Sequence, residues 1–243
     1  VYKRQTLSYY LGGNGVVEFS KELKLGTKKS HSAAENTKFV GAFLRGVLNP
    51  EEYRNLLAQF YYVYSTMETA IRGSNDERVK QVYYPELERV ASLEKDLEYY
   101  YGPYWKDEIY MTEACNTYTY RIKEIAEQDP YLLVAHHYTR YIGDLSGGQI
   151  LKNIAKKALN PPVGKGLDFY DFPSIDDAKE WKTIYRFRLD RMGFTESEKN
   201  AIISEANYAF RLNMYLFDEI GINDPYPLLT SIKGLFKVLI GGK

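Results

Sequence analysis

The sequence predicts an all-α fold, in which about eight helices form a single-domain bundle. Apolar residues recur at helical spacing along most of the chain, as at Leu56, Phe60 and Met67. Helix start signals such as Asn49 followed by Pro50 lie between these stretches, whereas the alternating apolar and polar residues typical of strands are almost absent.

Capping residues and loop residues along the sequence give the bounds of the predicted helices. Asn49 and Pro50 open one helix as its cap and first residue, and Thr195 with Glu198 fits a capping box for the last one. Residues 160–166, rich in proline and glycine, are the clearest loop. The predicted helices cover about residues 19–34, 36–46, 50–71, 87–101, 112–127, 130–159, 174–192 and 195–220.

Charge and cysteine content exclude several functional classes. The 32 Lys and Arg residues equal the 32 Asp and Glu residues, so no global basic field favours nucleic acid. The single Cys115 excludes an intramolecular disulfide and a cysteine metal cluster, and it is expected to be a packed thiol in a reducing compartment. We expect no transmembrane segment, because no apolar run reaches the roughly 18 residues that cross a bilayer.

The two ends of the chain are set apart from a domain that is expected to span residues 18–222. Residues 1–5 match what a translated sequencing adapter encodes, and residues 1–17 are excluded from the fold prediction. Residues 223–243 contain a short apolar stretch that is interrupted by Lys233 and Lys237. It is expected to be either a tail or a short docked helix.

Three glycines interrupt the sixth predicted helix at Gly143, Gly147 and Gly148. Each interior glycine lowers helix stability by roughly 0.8–1 kcal/mol relative to alanine, so together they forgo about 2–3 kcal/mol. One interpretation is a helix break or a tight helix crossing. The other is a kinked helix whose backbone closely approaches a flat partner.

His31 lies on a polar stripe of the first helix. At 100° per residue, Lys24, Thr27, His31 and Glu35 fall on one face. This pattern is typical of a solvated face with a structural histidine. The functional alternative is an axial metal ligand whose second ring nitrogen is held by a neighbour such as Glu35.

His136 and His137 precede the glycines by about two turns. In a regular helix both would fall on the side of Gly143 and Gly147, which makes either one a rival ligand. A structural or solvated histidine is the alternative for both.

Three separate stretches, residues 26–36, 135–151 and 206–214, resemble in sequence and order the signatures of the haem oxygenases. These all-helical enzymes open haem to biliverdin. The resemblance covers about residues 23–220. Paired tyrosines and lysine-rich ends are more similar to the bacterial, cyanobacterial and algal branch than to the membrane-tailed animal one.

The resemblance implies that haem b, both cofactor and substrate, binds between a proximal helix with the iron ligand His31 and a kinked distal helix. Gly143, Gly147 and Gly148 then bring backbone close to the haem face. A distal acid, as in peroxidases, would promote cleavage of the O–O bond, and glycine backbone avoids this. Asp144 is implied to hold an ordered water network, with Tyr138 and Arg140 as supporting members.

The same resemblance assigns residues to the edge and wall of the haem site. Lys24, Lys182 and Arg186 match positions that pair with the propionates, and this anchoring implies cleavage at the α-meso carbon. On spacing alone, Lys182 and Arg186 would be a solvated face. Phe210, Asn213 and Phe217 are implied as a wall of the pocket, with aromatic core as the alternative, and Glu35 is expected among the haem-binding residues.

Two positions depart from the family pattern, His137 where relatives often carry a small residue, and Ile142. The first leaves open a changed distal hydrogen-bond pattern.

The resemblance implies an enzyme that uses O₂ and reducing equivalents to form biliverdin IXα, carbon monoxide and ferrous iron. Electrons are expected from a partner, ferredoxin, because no flavin or nicotinamide fingerprint is present. Its expected dock is a basic rim with Lys152, Lys156 and Lys157. We expect a monomer in the cytoplasm, or in the plastid stroma of an alga. A haem-storing or haem-sensing relative and a helical scaffold without haem are the alternatives.

Overall fold

The computed structural model describes residues 18–221, and within this range the chain folds into helices and connecting turns without a strand. The all-α prediction is confirmed. Expectations for residues 1–17 and 222–243 lie outside the described residues. The α-helices are α1 (Phe19–Glu35), α2 (Lys38–Leu44), α3 (Pro50–Gly73), α4 (Glu77–Lys80), α5 (Val90–Tyr101), α6 (Trp105–Glu108), α7 (Glu113–Gln128), α8 (Leu133–His137), α9 (Gly143–Leu159), α10 (Ala178–Leu189) and α11 (Glu196–Ile220).

The predicted caps are present at both long helices. The Asn49 side chain accepts a hydrogen bond of 2.8 Å from the backbone N–H of Glu52, and Pro50 is the first residue of α3. At α11, the Thr195 hydroxyl accepts from the Glu198 N–H while the Glu198 carboxylate accepts from the Thr195 N–H. These side chains satisfy backbone donors that the first helical turn leaves unpaired.

The long helices α3 and α11 form the centre of the bundle. α3 packs against α5 and α7, and α11 packs against α1, α7 and α8. Their buried faces follow the helical period, with Leu57 and Met67 on α3 and Ile202 and Leu212 on α11. Within residues 18–221, no helix combines the length and apolar character needed to cross a membrane.

α1 lies so close to α11 that only glycine fits at one point of contact. A Cβ at Gly26 would stand 2.6 Å from a side-chain carbon of Ile203. The carbonyl oxygen of Gly26 also accepts a hydrogen bond from the Asn207 side chain at 3.1 Å, and the Asn207 oxygen accepts one from Ser30 at 2.6 Å. These contacts fix the rotation of α1 and therefore the direction of its His31 face.

The glycine-bearing helix is continuous but contains one turn of wider geometry. α8 and α9 are joined by a π-helical turn, Tyr138–Ile142, with helical backbone angles on both sides. A π turn inserts an extra residue and rotates the residues before it relative to those after it. The irregularity therefore precedes the three glycines, which themselves lie in regular helix.

Candidate functional site

We infer a cleft between α1 and α9 from the contacts of the helices around it. In the described part of the chain, α1 and α9 are not among the helix pairs that pack closely together. Instead, both contact α2 and both contact α10, while α11 runs along α1. The two helices therefore form facing walls, which α2 and α10 connect.

His31 lies on the α1 wall of this cleft. Its side chain is 45% exposed, and its Nδ1 atom is 3.6 Å from a carboxylate oxygen of Glu35, one turn further along the helix. The Phe210 ring of α11 stands edge-on against it, with ring centroids 5.5 Å apart. Burial raises the pKa of the Glu35 carboxyl, while the charge of His31 counteracts this rise. This leaves Nε2 as the ring nitrogen farther from Glu35.

Gly143 and Gly147 lie on the α9 wall. Tyr138 meets Thr27 of α1, and Gly143 follows Tyr138 by one π turn, so the two share a face of the helix. Gly147 follows one α turn later on the same face. A Cβ at either glycine would meet no atom within 4 Å. Gly148 points elsewhere, because its Cβ would lie 3.7 Å from the Tyr170 ring.

Cationic side chains border one edge of the cleft. Lys182 Nζ donates to the Ser146 hydroxyl at 3.2 Å, which connects α10 with α9. Burial, and then repulsion from Arg186, lowers the pKa of Lys182. Lys24 is exposed on the His31 face of α1. The three predicted propionate partners thus lie on the two helices that border this edge.

Tyr138 belongs to this edge and not to the Asp144 surroundings where the sequence placed it. Burial raises the pKa of its hydroxyl, whereas the charge of Arg186 and a hydrogen bond with Thr27 lower it. Tyr138 precedes Asp144 by six residues, a spacing that places the two side chains on different faces of a helix.

Asp144 sits behind the glycine wall in a cluster of buried polar groups. Its carboxylate accepts a hydrogen bond from the hydroxyl of Tyr64 on α3. Arg140 lies 3.4 Å from the other carboxylate oxygen and donates to the Tyr64 oxygen at 2.9 Å. Burial raises the pKa of Asp144, while Arg140 and Tyr64 pull it down. The Asp144 side chain keeps 12% of its surface exposed.

The cluster extends from Arg140 towards α7 and α11. Arg140 donates to the side-chain oxygen of Asn213 at 2.7 Å, and the Asn213 amide donates to the Tyr118 hydroxyl at 3.1 Å. Asn213 is therefore a buried member of this network, although the sequence placed it in the pocket wall. We call Tyr64, Tyr118, Arg140, Asp144 and Asn213 the distal cluster.

The two rival histidines are buried and held by other partners. His136 Nε2 lies 2.8 Å from the Glu205 carboxylate, and His137 Nδ1 lies 3.0 Å from the Tyr185 hydroxyl. The π turn explains why neither shares the Gly143 face. Burial lowers the pKa of His137 to about 3, which keeps its ring neutral.

The aromatic wall contains two of the three predicted residues. Phe210 packs against His31, and Phe217 stacks on Phe39 with ring centroids 5.7 Å apart. Both rings are partly exposed on α11. The predicted rim of lysines is less uniform, because Lys152 pairs with Asp171 whereas Lys156 and Lys157 are exposed.

Sequence reasoning missed Tyr64 and Tyr118 as members of the distal cluster. Helical spacing predicts both as packing residues, and both rings are fully buried. The hydroxyl groups were the signal that could have identified them, because the hydroxyl of a fully buried tyrosine requires a hydrogen-bond partner.

Comparisons with known proteins agree with this geometry. The family model described as Heme oxygenase matches residues 17–219. A heme oxygenase of Rhodella violacea is 47% identical over 203 residues, which span 83% of this chain and 86% of the relative.

Two crystal structures from Synechocystis are also similar. Heme oxygenase-2 in complex with heme and NO has a TM-score of 0.82 at 43% identity, covering 84% of this chain and 85% of that one. Heme oxygenase-1 in complex with heme has a TM-score of 0.81 at 45% identity, covering 84% and 92%. The resemblance inferred from the sequence is confirmed, and this chain belongs to the heme oxygenase family.

Proposed function

We propose that this protein is a haem oxygenase that binds haem between His31 and the glycine face of α9 and converts it to biliverdin IXα. The observation that carries the proposal is the pairing of a half-exposed histidine on α1 with open space at two helical glycines on the facing wall. Haem with O₂ and electrons supplies the oxidising chemistry, and the further products are carbon monoxide and ferrous iron.

The residues present fit a flat, dianionic ligand. A side chain at Gly143 or Gly147 would fill the space that a porphyrin face requires, and none is there. His31 offers a ring nitrogen to iron, which is the usual proximal ligand in haem proteins. Lys24, Lys182 and Arg186 border one edge and match the charge of two propionates.

His31 and the cationic edge orient the substrate. We assign Glu35 to the second ring nitrogen of His31, where a carboxylate fixes the imidazole and makes it a stronger ligand. The cations and the Tyr138 hydroxyl would hold one side of the macrocycle and leave one meso edge towards the Asp144 end of α9. This would select the α-meso carbon.

Asp144 is proposed to control water and protons next to the glycine wall. It can hold a water molecule on the cleft side while Tyr64 and Arg140 fix its carboxylate from behind. Its indirect action matters, because a strong acid placed directly over the haem would favour O–O cleavage. Phe210 and Phe217 exclude bulk water at the other end of the cleft.

Ferredoxin is the proposed electron donor, docking beside α1. Lys28 and Lys29 are exposed on the helix that carries His31 and give a small acidic protein a positive surface near the site. Lys152 is less suitable because Asp171 pairs with it. We propose a monomer located in the reducing cytoplasm or plastid stroma, where the free thiol of the buried Cys115 would be stable.

Single-turnover spectroscopy tests the proposed activity. Wild type loaded with ferric haem, then given O₂ and reductant, should lose its Soret band while biliverdin absorbance grows. His31→Ala should lose the axial ligand, and added imidazole should restore the spectrum of the complex. Haem that binds but stays intact would favour a storage or sensing protein, and identical titrations in both proteins would discredit His31 as ligand.

A charge-reversal pair tests the donor surface. Lys28→Glu with Lys29→Glu should raise the KM for reduced ferredoxin several-fold, while Lys156→Glu with Lys157→Glu serves as the matched control of equal charge change. Equal effects of both pairs, or no dependence of the rate on ionic strength, would argue against docking beside α1.

A further inference from the structure

A series of aromatic rings runs from the distal cluster to the surface of α10. Tyr64 contacts Tyr141, with ring centroids 5.6 Å apart, and Tyr141 contacts His137 at 4.5 Å. His137 stacks on Tyr185 at 5.5 Å, and Tyr185 stacks on Trp181 at 5.7 Å. We call these five residues the aromatic chain. Its first four members are buried, whereas Trp181 is partly exposed.

Each tyrosine in the aromatic chain has its own base. The hydroxyl of Tyr64 donates to Asp144, and that of Tyr141 donates to Glu68 at 3.2 Å. The Tyr185 hydroxyl lies 3.0 Å from Nδ1 of His137. A tyrosine that loses an electron must release its phenolic proton, so a hydrogen-bonded base makes its oxidation accessible.

Glu68 and His137 can each accept this proton, because the O–H of an oxidised tyrosine is a much stronger acid than either of their protonated forms. Burial raises the pKa of Glu68 to about 7, and one of its carboxylate oxygens is buried without a hydrogen-bond partner. Burial keeps His137 neutral, so its Nε2–H tautomer presents a lone pair at Nδ1. This is a role for His137 that packing alone does not require, since an apolar ring would stack equally well.

We propose that the aromatic chain carries an oxidising equivalent from the haem site to Trp181, so that a misdirected oxidation ends at the protein surface. The inference rests on the proposed binding of haem beside Asp144. It concerns a second reaction of the protein, with a hydroperoxide as the oxidant, and not the path to biliverdin.

The electrons and protons balance along the chain. When bound, haem would break the O–O bond of a hydroperoxide, release an alcohol and keep the second oxygen atom, which would leave the haem site two electrons short. Tyr64 supplies one electron and passes its proton to Asp144. Tyr141 then reduces Tyr64, which takes its proton back, while the proton of Tyr141 moves to Glu68.

The last steps repeat this pattern on α10. Tyr185 reduces Tyr141 across the His137 ring and gives its own proton to Nδ1 of His137. Tyr141 takes its proton back from Glu68. Trp181 then reduces Tyr185, the proton returns to that hydroxyl, and Trp181 releases its indole proton to solvent. The net change is one electron gained by the haem site and one electron and one proton lost by Trp181.

Radical trapping tests the proposal, since the two tryptophans of this chain provide a matched pair. Haem-loaded protein, confirmed by its Soret band, is mixed with cumene hydroperoxide and a nitroso spin trap, and adducts are located by mass spectrometry. We expect the adduct at Trp181 and little at the buried Trp105, which contacts Tyr61 and no member of the aromatic chain among the described ring contacts. Electron paramagnetic resonance of protein with deuterated tryptophan should show the same radical.

Tyr185→Phe keeps the stacked ring but removes the oxidisable hydroxyl. The Trp181 adduct should fall several-fold in this variant and move to Tyr64 or Tyr141, whereas Trp105→Phe should leave it unchanged. Haem-free protein should give no adduct at Trp181. An undiminished Trp181 adduct in Tyr185→Phe, or equal labelling of both tryptophans, would overturn the chain.

The result separates this inference from the proposed function. Haem that binds and turns over to biliverdin without a Trp181 radical would overturn the aromatic chain alone. Failure to bind haem at all would overturn both.

Discussion

At the scale of single residues, Asp144 depends on one neighbour from its own helix and one from a distant part of the sequence. Arg140 lies one turn before it, and Tyr64 comes from α3, 80 positions earlier. Burial raises the pKa of the carboxyl, and these two partners lower it, which favours the ionised form. The ionisation of Asp144 is therefore set by the distal cluster as a whole.

Tyr64→Phe removes the hydroxyl but keeps the ring, so it isolates the effect of the hydrogen bond to Asp144. The Asp144 carboxylate loses a donor, so its pKa should rise further and the acid limb of biliverdin formation should move to higher pH. Leaving this buried acceptor unpaired should lower the free energy of unfolding by about 1–3 kcal/mol. Urea unfolding and single-turnover yields between pH 5 and 9 measure both effects.

Tyr118→Phe is the matched control, because its hydroxyl contacts Asn213 and not Asp144. It should lower the unfolding free energy without moving the pH profile. Equal shifts of the pH profile in both variants would contradict the direct role of Tyr64.

Asp144→Ala should retain haem binding but lose most of the biliverdin yield, because the water proposed beside the glycine wall would lose its anchor. The measurement is the haem titration together with the single-turnover product spectrum. Asn153→Ala, an exposed change on the same helix, is the control. An unimpaired yield in Asp144→Ala would remove this residue from the mechanism.

Glu68 and His137 should give stability slopes of opposite sign. Burial raises the pKa of Glu68 from 4.5 to about 7, so its stabilising contribution is fully present below pH 4.5 and is lost as the pH rises towards 7. Burial lowers the pKa of His137 from 6.5 to about 3, so its contribution is present above pH 6.5 and is lost as the pH falls.

Glu68→Gln should remove the pH dependence of the unfolding free energy that Glu68 causes. The shift in pKa corresponds to about 3 kcal/mol, so the variant should gain up to that amount relative to wild type between pH 4.5 and pH 8. Urea unfolding of both proteins across this range measures the difference. A difference that does not change with pH would show that Glu68 titrates normally.

Sequence prediction succeeded where the residues of a pattern lie on one helix. The stripe of Lys24, Thr27, His31 and Glu35 follows from the helical period, and the structure places all four on α1. Tyr64 and Tyr118 could not be assigned in this way, since hydroxyl partners on other helices depend on packing.

At the scale of elements, the π turn is the feature that periodicity could not reveal. Periodicity predicts helix on both sides of Gly143 but cannot show an extra residue within a turn. Its consequence is large, because it sends His136, His137 and Tyr138 in directions that a regular helix would not. Cap signals are local, and for this reason the starts of α3 and α11 were predicted correctly.

Gly143→Ala should stabilise α9 but weaken haem binding. In the haem-free protein the new Cβ meets no atom within 4 Å, so the helix should gain up to about 1 kcal/mol. Haem affinity should fall, because the methyl group occupies the face where the porphyrin is proposed to lie. Urea unfolding without haem and haem titration measure the two effects.

Gly148→Ala supplies the contrast for this experiment. It lies in the same helix but points towards Tyr170, at an ordinary contact distance of 3.7 Å. It should change stability by a similar amount and leave haem affinity nearly unchanged. Equal loss of haem binding in both variants would show that α9 tolerates no added side chain for reasons other than the cleft.

At the scale of the whole molecule, the two walls of the cleft are held by different parts of the bundle. α1 is attached to α11 through Gly26, Ser30 and Asn207, whereas Asp144 on α9 is tied to α3 through Tyr64. A ligand that contacts both walls would add a direct connection between α1 and α9, which α2 and α10 otherwise bridge.

Haem binding should therefore protect α1 and α9 more than the rest of the bundle. A ligand present at about 100 times its Kd stabilises the folded state by about 2.7 kcal/mol, and local opening of either wall must first release it. Amide hydrogen exchange with and without haem should slow most in these two helices. α5 packs on α3 away from the cleft, so its exchange rates should change little on haem binding. It serves as the internal control. In His31→Ala the extra protection of α1 should disappear first, because the bond from this wall to iron is lost. Uniform slowing in all helices would mean that haem stabilises the bundle without bridging α1 and α9.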